Sequence, residues 1–372
     1  MKALANNLDS NLSKLMTVDK IHITNFTHKW AEHKKVAKAE KSSNRQSIKN
    51  NNANSLLLTM LDLVFEENTE LPLNNSQFYN SGLEILLKQW DSKNDTERSD
   101  IYKKISLQSK QDLFSYIALK TFSKGDYFFT QQLVEEYISD YITNLPNATT
   151  NYQELQLDSK AVLKSMEVQH GVVVQQSTGI YSFSDLALQE YFTAREILNS
   201  STPQLLEKSL QNLVEHLSEN RWKEVFLLLA GMLRNGDYLL NLIKNRANAI
   251  VAKDEILLHF LNWNTQKSVE IKSPYKSSAF RALSLEFILN IDFDFALTLD
   301  NDFAGDAGLN TAHLHSYTQE LKNCQFSKTQ KHVLKQYYYA NKLLVECLNH
   351  ARYVSRTVRE EITENVLIPF AI

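Results

Sequence analysis

Apolar and polar positions along this chain alternate mainly at helical spacing. Leu83, Leu86, Leu87 and Trp90 recur at i, i+3, i+4 and i+7, and Trp222, Val225, Phe226, Leu229 and Leu233 keep the same period. A stripe of this kind buries one face of an α-helix. Ser55–Phe65, SLLLTMLDLVF, is apolar enough for a buried helix, and Asn75-Ser76 can cap the one that follows. Further helices are predicted about Lys104–Phe122, Thr130–Ile142, from near Ser159, near Tyr238–Asn245, Asp254–Trp263, Ser327–His350 and Thr357–Asn365.

The period changes in two places. Ala161–His170 is amphipathic and is stopped by Gly171; a β-branched run, Val172–Val174, follows, and then turn chemistry at Ser177-Thr178-Gly179. Ile180–Ala194, IYSFSDLALQEYFTA, reads as the second arm of a hairpin running into a helix with Leu188, Tyr191 and Phe192 on one face. Helix, stop, strand, turn, strand, helix is the plan of a winged helix. The other change is Leu283–Leu299, where apolar residues alternate for 17 positions. That alternation is a strand pattern, yet it runs about three times the usual strand length and no partner of similar length lies nearby.

With 372 residues, the chain can hold two or three domains with real cores. Only 8 Gly and 5 Pro interrupt it, which favours helix over a large sheet. The net charge of −3 supplies no global pull toward nucleic acid or anionic membrane. Its densest positive cluster, Lys29–Lys49, reads as a solvated face or loose linker. Cys324 and Cys347 are the 2 cysteines and read as buried thiols of a reducing compartment. Neither a signal peptide nor a bilayer-spanning run is legible, so the expected location is cytoplasmic. The polar tract Glu40–Asn54 reads as a linker.

The wording of several segments resembles NACHT-type signal-transduction NTPases. Ile180–Ala194 is similar to that family's winged-helix phrase YSFSHLTFQEYFAA, and Asn54–Phe65 to its NPLLLTLLCLVF. Gln77–Trp90, Arg221–Leu233 and Arg359–Pro369 resemble later segments of the cyanobacterial-like branch in the same order, with a weaker echo at Ile23–Trp30. The resemblance covers about residues 54–372. It implies a mainly α protein: a helical remnant and polar linker over 1–53, a helical domain over 54–125, a winged-helix domain with a small β-hairpin over 126–200, and a C-terminal helical, sensor-like domain over 201–372. Under it, Leu283–Leu299 is read as helices and loops.

A P-loop needs G-x-x-x-x-G-K-[ST], whose backbone amides wrap phosphate while Lys and the hydroxyl serve charge and magnesium. The nearest spacing, Gly231 to Gly236, is followed by Asp237-Tyr238 and has neither. ATP hydrolysis by this chain alone is not expected, and neither a catalytic nor a metal site is assigned. The resemblance also marks two positional equivalents of nucleotide contacts. Ser55 replaces a proline lying near the base. Asp185 replaces a histidine that meets the phosphate, where a carboxylate would repel it. Asp185 can equally cap the helix starting at Leu186, and the two roles are compatible. His313 and His315 lack companion ligands and read as surface or packing residues, Gln189-Glu190 as helix-surface contacts, and Tyr337-Tyr338-Tyr339 as helix packing.

The expectation is therefore the regulatory and sensing portion of a NACHT-like nucleotide-gated switch, in bacteria and in defence against phage, without its own NTPase core. A protein partner or an NTPase core in trans is implied, with ATP or ADP as cofactor only through that core. The alternative is a winged-helix DNA-binding regulator reading through about Asp158–His170, with Lys160 and Lys164 toward phosphate. There Asp158 and Glu167 offset the lysines, so nucleic acid is not expected as a partner.

Overall fold

A computed structural model of the chain describes residues 60, 63–64, 75–93, 105–145, 151–167, 171–270, 276–300 and 319–369. Ser55, the Lys29–Lys49 cluster and the His313/His315 pair lie outside them. The chain divides into two compact units, Met1–Glu196 and Ile197–Ile372.

In the first unit, α1 (Asn75–Lys93) buries Leu83, Leu86 and Leu87, three members of its apolar stripe. Helix α2 (Leu107–Lys124) starts at Ser106, whose hydroxyl accepts the Ser109 amide, and stops at Gly125 in the left-handed region with φ 77°. The residues after it form β1 (Phe129–Thr130), and the Thr130 hydroxyl accepts the Leu133 amide to open α3 (Gln131–Ile142). Asn151 caps α4 (Tyr152–Ser165). That helix begins seven residues before Ser159, the expected start, because its first turns bury Leu155 but leave Tyr152 and Leu157 at water, so no clean apolar period shows. Strands β2 (Val173–Ser177) and β3 (Ile180–Phe183) make the hairpin, with Gly179 at φ 73° in the turn.

β1 was not legible in the sequence. It pairs antiparallel with β3, Phe129 opposite Tyr181 and Thr130 opposite Ile180, to give a three-stranded sheet in the order β1-β3-β2. Helix α5 (Leu186–Leu198) then runs through the core, with Leu188, Tyr191, Phe192 and Ala194 buried.

The second unit holds α6 (Pro203–Val214), a short 3-10 turn (Asn220–Trp222), α7 (Lys223–Met232), α8 (Asp237–Val251), α9 (Glu255–Glu270), α10 (Ser277–Leu289), α11 (Asp294–Leu299), α12 (Lys328–His350) and α13 (Arg356–Asn365). Helix α6 was not expected, although Thr202 as N-cap and Pro203 in the first turn are its start signals. Trp222, Val225, Phe226, Leu229 and Leu233 are all buried, as their period required.

Leu283–Leu299 lies in two helices joined by a short loop, as the resemblance implied and the alternation by itself did not. Every residue from Ser278 to Glu286 in α10 is buried, so no polar face remains to display a helical period. Asn290, at φ 52°, closes α10 in the left-handed conformation that asparagine tolerates best after glycine. The core of this unit is built from Leu257, Leu261, Phe280, Leu285, Phe295, Leu334, Tyr337 and Tyr338. Two of the three consecutive tyrosines therefore pack inward, and Tyr339 is left exposed. No helix among the described residues is long and apolar enough to cross a membrane.

Candidate functional site

The hairpin delivers the chain into α5 through Ser184 and Asp185. Asp185 Oδ1 accepts the Ala187 amide at 2.8 Å, and its carbonyl accepts the amides of Leu188 and Gln189. The carboxylate is thus the N-cap of α5, where the helix dipole favours a negative charge. It is half-buried, while the adjacent Leu186 is exposed. The hairpin is tied to α3 as well, because the Gln131 amide donates to the carbonyl of Gly179 at 2.8 Å.

Helix α5 carries a line of buried polar residues. Gln189 Nε2 donates to Thr121 Oγ1 at 2.9 Å and to the Asp126 carbonyl at 3.2 Å, which fixes α5 to the end of α2. Gln189 and Glu190 are buried, which corrects their reading as helix-surface contacts. Two turns on, Arg195 Nη1 meets Asp112 Oδ1 at 2.7 Å and the Ser115 hydroxyl at 3.0 Å. The Tyr191 hydroxyl reaches Asn80 of α1 at 3.4 Å, and burial pushes its pKa up to about 12. Glu196 also holds its proton above the ordinary carboxyl range, first through burial and then through the Asp112 carboxylate, with Arg195 and Lys120 opposing. These polar side chains were visible in the sequence, but their burial was not, since a Gln and an Arg on a helix normally face water.

Helix α4 is the element that a winged helix would lay on DNA. Its exposed side chains include Tyr152, Leu157, Lys160 and Lys164. Lys164 is paired with Glu167 at 3.1 Å. Glu154, Asp158 and Glu167 thus set three carboxylates against the two lysines. Asp158 is pushed toward the neutral form by burial and then by the charge of Glu154. The face has no basic stripe of the kind that holds phosphate backbones.

The glycine spacing that superficially suggests a phosphate loop sits between helices. Gly231 is buried in the last turn of α7, and Gly236 opens α8 with its amide donated to the Tyr353 carbonyl at 2.9 Å. Among the described residues no group of three His, Cys, Asp or Glu side chains converges as a metal site. Cys347 is fully buried, and that burial raises its thiol pKa.

Residues 75–197 match the family model for the winged helix-turn-helix domain C-terminal to NACHT, and residues 308–369 match that for NACHT C-terminal helical domain 2. Both are non-catalytic domains, and neither match is to an NTPase core. No curated protein and no solved structure matches the chain. The first match takes in α1 and α2 together with the winged helix, the same stretch that Gln189, Tyr191 and Arg195 bind into one body. The chain therefore carries the C-terminal part of a NACHT-type protein, a winged-helix domain followed by the second C-terminal helical domain.

Proposed function

We propose that this chain is the regulatory and sensing portion of a bacterial NACHT-like nucleotide-gated signalling protein, working in the cytoplasm in defence against phage. Its NTPase core comes from another polypeptide, and ATP or ADP reaches the complex only through that core. The first unit acts as the lever and the second reads the trigger. The observation that carries this reading is the buried polar line of α5. Because Gln189, Tyr191 and Arg195 fix the winged helix to α1 and α2, a push on the Asp185 end cannot be absorbed locally and is passed to both helices. A transition between two states needs such a rigid element.

The test begins with the reading frame adjoining this one. If that frame encodes a P-loop protein, the two are co-expressed and run on size exclusion with ADP and with ATP. Co-elution that depends on which nucleotide is present is the expected result. A frame without a P-loop, or a partner that ignores this chain in both nucleotides, would reject the assignment.

A further inference from the structure

The geometry points to the exposed face of α12 as a binding surface for single-stranded nucleic acid, held through its phosphates and through one stacked base. This proposal stands apart from the gating role above, because it concerns a different unit and needs no NTPase core.

Helix α12 carries four lysines and one glutamate. Lys328, Lys331, Lys335 and Lys342 fall at i, i+3, i+7 and i+14, and His332 sits beside them, so all five lie along one stripe. Lys328, Lys331, His332 and Lys335 are exposed. The exposed Tyr339 continues the stripe at i+11, with Lys335 Nζ 5.8 Å from its ring centroid. From Lys328 to Tyr339 the surface is about 16 Å long at 1.5 Å per residue.

The charges run against the stability of the helix. A helix N-terminus carries partial positive charge and favours acids, yet α12 has no acidic residue in its first turn and places Lys328 and Lys331 in its first two, with Lys335 just beyond. Its capping box pairs Ser327 with Gln330 and not with a glutamate, so the start is closed without any negative charge. The glutamate, Glu346, sits near the other end and is bound to Lys223 at 2.8 Å.

Two acids of other elements bond to side chains of this helix. Asp254 accepts Gln330 Nε2 at 3.2 Å and the Leu257 amide at 3.0 Å, and Asp294 pairs with Lys342. Asp254 keeps its charge near the start of the stripe, but among the described residues no ion pair engages Lys328, Lys331 or Lys335, and Tyr339 lies at their border.

The residue types choose among anions. Carboxylate partners are best met by the planar fork of arginine, and the stripe contains none. Lysine ammonium groups serve as point charges for phosphates, and an exposed aromatic ring among them is a platform for an unpaired base. A duplex offers no such base, which leaves a single strand.

The full chain is titrated into a fluorescein-labelled oligo-dT 20-mer and followed by anisotropy. Three lysine contacts predict a log–log salt slope of about −2, from ~0.7 per phosphate neutralised on a single strand. The variant Lys328→Glu/Lys331→Glu/Lys335→Glu is expected to abolish binding. Tyr339→Ala is expected to weaken it about tenfold at unchanged slope, with Tyr339→Phe restoring it. All these side chains face water, and unchanged circular dichroism confirms that each variant folds. Salt-independent binding, no binding by the parent at low salt, or wild-type affinity in the triple variant would overturn the proposal. Equal affinity for a blunt duplex with no effect of Tyr339→Ala, or for polyglutamate, would overturn it equally, by pointing to duplex or to an acidic peptide.

Discussion

Tyr338 donates its hydroxyl to Glu286 Oε1 at 2.8 Å, and that one oxygen also accepts the amides of Phe295 at 2.9 Å and Ala296 at 3.3 Å. The other carboxyl oxygen, Oε2, is buried and has no hydrogen-bond partner among the described residues. Burial raises the pKa of Glu286, the hydrogen bonds at Oε1 oppose the shift, and the Asp294 charge adds to it. The folded pKa thus lies above the unfolded value of about 4.3, and the native state holds the proton more tightly. The stability that Glu286 contributes is complete below about pH 4.3 and is lost as pH rises through the raised value.

Urea midpoints of the parent and of Glu286→Gln, compared across that window, isolate this group from Glu196 and Asp158, which titrate alike in both. The parent should lose stability relative to the variant as pH rises. A difference that stays flat with pH would show that Glu286 titrates in the fold as it does in the unfolded chain.

Gly82 sits where a side chain would strike the preceding helical segment. An added Cβ would lie 2.8 Å from Met60 Cε and 3.0 Å from Met60 Cβ. Alanine in a helix interior ordinarily gains about 1 kcal/mol over glycine. Here the contact with Met60 Cβ cannot be relieved by rotating a flexible end, and overpacking costs about 1–3 kcal/mol. Gly82→Ala is expected to lower the thermal midpoint, and to lower it by less in a Met60→Ala background, where the Cε at 2.8 Å is gone and only the Cβ contact remains. Additive losses in the double variant would show that the two residues do not press on each other.

How much of this was legible follows from what each residue must do. The hairpin was readable because Gly179 and the β-branched run Val172–Val174 act locally, and Asp185 declared a cap at the next helix. The helices of Leu283–Leu299 were hidden because burial on all sides of α10 erases the polar face from which period is inferred. β1 was hidden because two residues make no pattern. Gln189 and Arg195 were misjudged or passed over for another reason. Their partners Thr121 and Asp112 lie 68 and 83 residues away, and no local pattern carries that distance.

Asp185 separates capping from charge. Asparagine caps a helix about as well as aspartate, whereas alanine costs about 1 kcal/mol. Asp185→Ala should lower the melting temperature of the chain alone, and Asp185→Asn should leave it unchanged. If, as proposed, an NTPase core binds in trans with its diphosphate against Asp185, Asp185→Asn should tighten the ADP-dependent complex. Equal affinity of Asp185→Asn and the parent for the ADP-loaded core would reduce Asp185 to a cap.

Arg195 joins α5 to α2 through Asp112 and Ser115. Truncation to alanine leaves Asp112 and Glu196 facing each other without their cation, and loses two charge-assisted hydrogen bonds. A loss of about 2 kcal/mol is expected, at the lower end for a buried pair because about a third of Asp112 meets water. The double variant Arg195→Ala/Asp112→Ala should lose less than the sum of the two single changes in denaturant melts. Strict additivity would mean that the pair carries no coupling.

Arg281 is the pin of the C-terminal segment. Buried in α10, it donates Nε to the Val366 carbonyl at 2.9 Å and Nη2 to the Glu364 carbonyl at 2.5 Å, while Asn341 Oδ1 takes the Leu367 amide at 3.2 Å. Leu367 is buried with φ at 64°, a left-handed conformation that a leucine keeps only when its surroundings enforce it. Burial pushes the Arg281 pKa down to about 10, so the guanidinium stays charged at neutral pH and its hydrogen bonds to the carbonyls keep full strength. Arg281→Ala would strand those carbonyls in the core and is expected to cost about 3 kcal/mol. Arg281→Lys should recover only part of that loss, since a single ammonium cannot span both carbonyls. Hydrogen exchange gives the sharper reading. In the alanine variant the amides of α13 should exchange faster by a larger factor than those of α8, because the segment detaches before the unit unfolds. Equal acceleration in both helices would show that Arg281 supports the whole core and not the end of the chain.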